Sequence, residues 1–328
     1  MNKRILALLL ALLLPLCPVL AETAPSDEVE LEQAPAITPL PMDFSGGHVA
    51  SEANYSVLED GSAVYQDDSL LVEVHKEIVD GDAFVVAHVR IADPSQLRAA
   101  VAGKNRDNKV TVMAKKANAV LAIGGTCYND RKIGYIVRMG EVIRAAQVSK
   151  SLDVLVIDVN GDFHIVPAEK MEEIRAEQDK KVQGKRNNYD AAGELLEALI
   201  GVPAMHVFNF GPALVVDGEL VQIPEKYSDI GNIKGREPRC AIGQIGTLEY
   251  LVVIVDGRRA SDPSEGCTVE KVARYMWEAG CVQAYNLDGG NTAEMVFHGE
   301  IYNNKTTGGE RSQSDTIYFA TAIDFGLD

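Results

Sequence analysis

Two apolar runs separated by one amphipathic helix constrain this chain more than any other feature. Leu248 to Val255 is an apolar run that ends in Asp256-Gly257-Arg258. Cys281 to Leu287 is a second, ending in Asp288-Gly289-Gly290. Between them, Thr268 to Ala279 predicts a helix with Thr268 as N-cap, Val269, Val272, Ala273 and Met276 on one side, and Gly280 as the stop. Strand, helix, strand at this spacing is a βαβ unit, whose strands are parallel and usually close neighbours. Asp256 and Asp288 then leave one sheet at the same, C-terminal edge. Adjacent strands lie about 4.8 Å apart, so the two carboxylates are expected to face one cleft.

The rest of the chain is rich in hairpin signals. Ile133 to Arg144 turns at Gly140, Val154 to Val166 at Asn160-Gly161, Ala213 to Val221 at Asp217-Gly218, and Met295 to Tyr302 at Gly299. Ala83 to Ile91 adds another strand-like run. Two further helices are expected: a charged one over Ala168 to Lys185 and a shorter amphipathic one over Asp190 to Leu199. The expected fold is α+β. It is a single domain with a mixed, hairpin-rich β-sheet, a C-terminal βαβ unit and flanking helices.

Residues 1–21 read as an export signal. Lys3 and Arg4 are followed by the apolar run Ile5 to Leu14 and the small-residue cleavage site Val19-Leu20-Ala21. That run is too short to span a bilayer, and no later segment could. A secreted or cell-envelope location follows. Residues 22–45 contain Pro25, Pro35, Pro39 and Pro41 and few large apolar side chains, the composition of a disordered, solvated spacer. Residues 46–328 are then one domain. The formal charge is −17, and −19 once Lys3 and Arg4 leave. This argues against nucleic acid and acidic membrane surfaces as partners. Four cysteines remain after processing: Cys127, Cys240, Cys267 and Cys281. Cys267 and Cys281 flank a helix about 18–20 Å long, and a disulfide needs Cα atoms within about 7 Å. That leaves two of three full pairings, or four free thiols in a domain too large to need staples.

Two carboxylates a few ångströms apart suit work on a glycosidic bond or an oxygen-ligand metal site. Arg239, Arg258, Arg259 and Arg311 supply local positive charge in an acidic chain, and a guanidinium matches phosphate oxygens in a bidentate fork. The six histidines show no zinc spacing, and no Gly-rich phosphate loop or Gly-x-Ser-x-Gly elbow is present. Cys127 in Gly124-Gly-Thr-Cys-Tyr128 is a nucleophile candidate, with a buried thiol as the plainer reading.

The chain resembles the phosphodiester glycosidase family over about residues 115–322. The anchors are Asn209-Phe-Gly-Pro212 with the Asp217-Gly218 hairpin, Pro238-Arg239-Cys-Ala-Ile-Gly-Gln244, Val255-Asp-Gly-Arg258, Asn286-Leu-Asp-Gly-Gly290 and Glu310-Arg311. The resemblance implies hydrolysis of the glycosidic bond of a sugar-1-phosphodiester, with no cofactor named. It implies Asp288, Asp256 and Glu310 as the catalytic carboxylates, Asp288 first, with Glu310 also able to orient sugar hydroxyls or the arginines. Arg239, Arg258 and Arg311 would hold the phosphate, and Asn286, Gly289, Gly290 and Thr292 would line the substrate site. Two positions depart from the family pattern. Gly124 stands where an Asn is usual, and Asn291-Thr292-Ala293-Glu294 follows Gly290 where Gly-Ser-Ser is usual. Thr292 can replace a serine hydroxyl and Ala293 cannot. Two other readings stay open: a non-catalytic binder of cell-surface glycan or exopolysaccharide (or an accessory to its biosynthesis), and a metal-dependent phosphodiesterase using a divalent cation.

Overall fold

A computed structural model describes residues 52–322, apart from 104, 131–133, 183–190, 228–231, 259–263 and 307. The expected signal, the spacer and Arg259 lie outside the described residues. Those described fall in one contact unit spanning 37–328.

The fold is α+β, built from three sheets in which every described strand pairing is antiparallel. The largest sheet has nine strands, ordered Tyr55–Val57, Ala63–Gln66, Leu70–Val79, Asp82–Ile91, Glu249–Val255, Arg239–Gly246, Gln283–Asn286, Ala213–Val216 and Glu219–Leu220. A five-stranded sheet runs Phe163–Val166, Val154–Asp158, Ala204–Asn209, Tyr135–Arg138, Glu141–Ala145. The third runs Glu300–Ile301, Met295–Phe297, Leu121–Gly124, Asp315–Phe319, Leu97–Val101. One aromatic chain joins all three. Tyr250 of the first sheet packs 5.4 Å from Phe163 of the second and 5.6 Å from Phe319 of the third, centroid to centroid. All three rings are buried, so each contributes a large apolar area to one shared core.

The expected hairpins are present. Asp217-Gly218 joins Ala213–Val216 to Glu219–Leu220, and both turn residues take positive φ (52° and 79°), as a two-residue turn of this hand requires. The helix Val269–Glu278 is capped by the Thr268 side chain and buries Val269, Val272, Ala273 and Met276. The other two expected helices lie at Ala168–Val182 and Ala191–Ile200.

One expectation is corrected. The strands on either side of the Val269–Glu278 helix do run in the same direction, but they are not neighbours. Arg239–Gly246 lies between them and pairs antiparallel with both, Arg239 opposite Val255 and Ala241 opposite Asn286. The physical reason is local. Arg239–Gly246 and Glu249–Val255 form a hairpin around Leu248 (φ 57°), and the helical crossover steps over the returning arm. Asp256 and Asp288 still leave the same edge, about two strand spacings apart, roughly 10 Å. The start of the Arg239 strand lies between them.

All four described cysteines are free thiols. Burial pushes the Cys267 and Cys281 thiols up to about 12, so they remain inert SH groups at neutral pH.

Candidate active site

The site forms where the edge carrying Asp288 meets the end of the Leu121–Gly124 strand. Leu287 N donates to Cys240 O (2.8 Å) and Asp288 N to Gly125 O (3.3 Å), which ties the Asp288 turn to two sheets at once. Gly290 takes φ 62°, and its N–H donates to Pro238 O at 2.8 Å. That left-handed conformation suits glycine, and it lets the turn close against the start of the Arg239 strand. Thr292 is buried, and its hydroxyl donates to Gly289 O at 2.6 Å, closing the turn from the other side.

Asp288 is half-buried and lines a cavity of about 10 Å³ with Thr292, Cys127, Arg311 and Gln313. Such a volume holds about one water molecule. Arg311 is exposed, and its Nη2 lies 3.6 Å from Asp130, another lining residue. Arg258, at φ 55°, is clasped through Nε and Nη2 by Glu237. A Cβ at Gly290 would lie 3.2 Å from Arg258 Nη1, so this guanidinium sits against the Gly289-Gly290 backbone. Asp288, Thr292 and Arg311 are thus brought together, with Arg258 beside the turn.

The other expected residues are placed differently. Asp256 is 2 % exposed and accepts from Asn303 Nδ2 and Asn304 N, each at 3.1 Å. Burial raises its carboxyl above the usual range, and the bonds from Asn303 and Asn304 oppose that. It does not line the Asp288 cavity, so the expectation of two carboxylates facing one cleft does not hold. The reason is the intervening strand together with the Asn303-Asn304 segment that covers Asp256. Arg239 is buried and donates to the carbonyls of Cys267 (2.9 Å), Asn232 (2.8 Å) and Gly235 (2.7 Å). Asn286 is buried, and its Nδ2 donates to Gly211 O at 2.8 Å. Its Oδ1 has no partner. Glu310 accepts from Thr111 N and Oγ1, both at 2.9 Å, at the start of the Val110–Lys116 helix.

Several site residues carried no sequence signal. Glu294 is fully buried, with Lys305 Nζ 2.8 Å away and Glu310 as a hydrogen-bonding neighbour. Burial first, then the adjacent Glu310, pushes its carboxyl up to about 7 against the pull of Lys305. Lys305 also donates to Asn291 O (3.0 Å) and Ala293 O (3.1 Å), clamping the turn that follows Asp288. Beneath the Gly125-Thr126 loop, the buried Asp315 accepts from Thr126 N (2.7 Å) and Arg138 Nε (2.8 Å). Gln313 fills the space beside Gly124. A Cβ at Gly124 would come within 2.5 Å of Gln313 Oε1 and 2.8 Å of Thr292 O, so that position has no room for an asparagine. A pairing between 124 and 313 is a tertiary fact, invisible to spacing. Among the described residues no cluster of His, Cys, Asp and Glu could hold a metal ion.

A family model for phosphodiester glycosidase matches residues 115–320. The chain belongs to the phosphodiester glycosidase family, which supports a glycosidase-type function. Among solved structures it is similar to the zebrafish N-acetylglucosamine-1-phosphodiester alpha-N-acetylglucosaminidase catalytic domain, auto-inhibited by its pro-peptide. The TM-score is 0.56 at 17% identity, covering 84% of this chain and 87% of that one. A hypothetical protein from Synechocystis gives a TM-score of 0.51 at 15% identity, covering 78% of this chain and 63% of that one. These likenesses show the fold. A curated relative, the SPbeta prophage-derived uncharacterized protein YomE of Bacillus subtilis, is 31% identical over 121 residues. That match covers 37% of this chain and 18% of YomE.

Proposed function

We propose that this chain is an exported hydrolase that cleaves the glycosidic bond of a sugar-1-phosphodiester in a cell-surface or extracellular glycoconjugate. The observation that carries this reading is the water-sized cavity lined by both Asp288 and Arg311. Asp288 takes a proton from a water held there as the water oxygen attacks the anomeric carbon. The bond from that carbon to the phosphodiester oxygen breaks, and its electrons leave with the phosphate. A phosphate monoester needs no proton to depart, so stabilising its charge matters more than protonating it. Arg311, with Arg258 at the Gly289-Gly290 backbone, supplies that charge where it develops. Thr292 fixes the turn, while Asp256, Arg239 and Glu310 hold the surrounding loops. Among the described residues no helix is long and apolar enough to cross a membrane.

The test is hydrolysis of sugar-1-phosphodiesters in ¹⁸O-labelled water by the mature protein. Label is expected in the sugar. Label in the phosphate would mean P–O cleavage and a phosphodiesterase. Binding without product release would leave a glycan-binding protein.

A further inference from the structure

The chain's single tryptophan, Trp277, is 42 % exposed near the end of the Val269–Glu278 helix. Its indole Nε1 donates to Gly218 O at 3.1 Å, so its one polar atom is used on the protein and what it offers a partner is apolar ring. Gly218 N in turn donates to Val282 O (2.8 Å), and Gln283 Nε2 donates to Asp217 Oδ1 (2.7 Å). These bonds carry the Trp277 surface across Val282, 41 % exposed, to a cavity of about 330 Å³ lined by Asp217 and Gln283. Leu199, 50 % exposed, lines the same cavity beside Ile200. An exposed apolar patch that runs into a cavity of this size, with polar groups on its wall, marks a binding site. It is distinct from the Asp288 cavity. It lies at the start of the Gln283–Asn286 strand, Asp288 lies beyond the end of that strand, and the two cavities share no lining residue.

The walls select the ligand. Each basic lining side chain is already paired with an acid, Lys170 with Glu173 (2.9 Å) and His164 with Asp158 (3.0 Å), while Asp217 is held by an uncharged amide. In a chain of net charge −17 such a wall repels a phosphate or carboxylate. A long apolar chain would strand the Asp217 carboxylate and the Gln283 amide away from water. A second copy of this chain would need roughly 800 Å² of surface per partner. One indole and two aliphatic side chains, each about half exposed, offer on the order of 300 Å². What fits is a neutral ring with an apolar face and hydrogen-bond donors on its rim. We propose that this patch is a second, carbohydrate-binding site, in which the C–H face of a neutral hexopyranose residue lies on Trp277 and its hydroxyls donate to Asp217. Occupancy of this site does not depend on hydrolysis at Asp288.

Because Trp277 is the only tryptophan, its emission reports on this site alone. The test is titration of the mature protein with two neutral oligosaccharides, maltohexaose and N-acetylchitohexaose. At least one is expected to shift the emission to the blue as the indole leaves water, saturating with a Kd of about 1 mM. Asp288→Asn should give the same curve. By calorimetry Trp277→Ala should bind about tenfold more weakly, the worth of a stacked ring. Asp217→Asn should bind about threefold more weakly, the worth of one hydrogen bond to a charged acceptor exchanged for a neutral one. Asparagine tolerates the positive φ of this turn position, so Asp217→Asn serves alone if thermal melts show that Trp277→Ala does not fold. Neither emission change nor heat with either oligosaccharide at about 10 mM, unchanged affinity in a folded variant, or binding lost in Asp288→Asn would each overturn the proposal. An emission shift with glucose 1-phosphate that neither neutral sugar gives would overturn it in favour of an anion site. A concentration-dependent dimer abolished by Trp277→Ala would overturn it in favour of a second copy of the chain.

Discussion

Asp256 and Asp288 each end an apolar strand, each is followed by glycine, and both leave the same edge of one sheet. Their surroundings are nevertheless opposite. Asp256 is sealed, with Asn303 and Asn304 donating to its oxygens and Ser264 Oγ donating to its own carbonyl at 2.8 Å. Asp288 is half-buried at a cavity that also holds an arginine. The same Asp-Gly pair thus yields a fully buried carboxylate in one place and a half-buried, cavity-lining one in the other. What differs is which distant segment folds over it. A carboxylate buried among protein donors stabilises the fold, whereas one on the wall of a cavity can meet a water.

The sharpest way to break this contrast is to mutate both residues and read activity and stability separately. Asp288→Asn should lower kcat for a sugar-1-phosphodiester by about 10²- to 10⁴-fold, the usual worth of a general base, with its melting temperature close to wild type. Asp256→Ala should do the reverse. Asn303 Nδ2 and Asn304 N lose a charged acceptor, which costs about 2–4 kcal/mol in urea unfolding, while the folded fraction keeps its turnover. If Asp256→Ala abolishes turnover at unchanged stability, the two residues act as a pair and the contrast fails.

Much of the fold was legible because its signals are local. The Asp217-Gly218 turn, the Thr268 cap and the buried stripe Val269, Val272, Ala273 and Met276 are each settled within a few residues. The Val110–Lys116 helix leaves little trace in the sequence because it is short and Lys109 at its N-cap makes no side-chain bond. Strand order was legible only in direction. That Arg239–Gly246 lies between the two runs depends on long-range pairing, which periodicity does not encode. In the site, Asp288, Thr292 and Arg311 do line one cavity. Arg239 illustrates the limit of such reading. An arginine at a strand start is the same letter whether it meets a phosphate or, as here, four backbone carbonyls.

The two regions are also joined, and pH is the means to sharpen that link. Asn303 and Asn304 hold Asp256, and the next residue, Lys305, clamps the turn after Asp288 and pairs with Glu294. The Glu294 carboxyl is raised from 4.5 to about 7 in the folded protein, so the folded state holds its proton more tightly than the unfolded one. The stabilisation is fully present below pH about 4.5 and is lost as pH rises through about 7. Urea unfolding should therefore show wild type losing on the order of 2 kcal/mol between pH 5 and pH 8 relative to Glu294→Gln, whose amide does not titrate. Parallel pH curves for the two proteins would show that Glu294 is ionised throughout and that this link is not pH-sensitive.

The smallest effect concerns the arginines, and it separates charge that works on a ligand from charge that holds the fold. Arg311 and Asp130 are both more than half exposed and sit 3.6 Å apart. A surface pair of this kind contributes about 0–1 kcal/mol to stability. Arg311→Ala should therefore leave the melting temperature unchanged, and any loss in kcat/KM reports on the ligand alone. About tenfold is expected for a phosphodiester substrate, and little for a neutral glycoside with a comparably good leaving group, because a guanidinium discriminates by the charge it faces. Arg258→Ala offers the internal comparison. Its guanidinium is already neutralised by Glu237, so it has less charge to offer a phosphate, and its removal should cost a smaller factor spread over both substrates. Equal losses for the charged and the neutral substrate in Arg311→Ala would mean that this arginine shapes the cavity and does not read the phosphate.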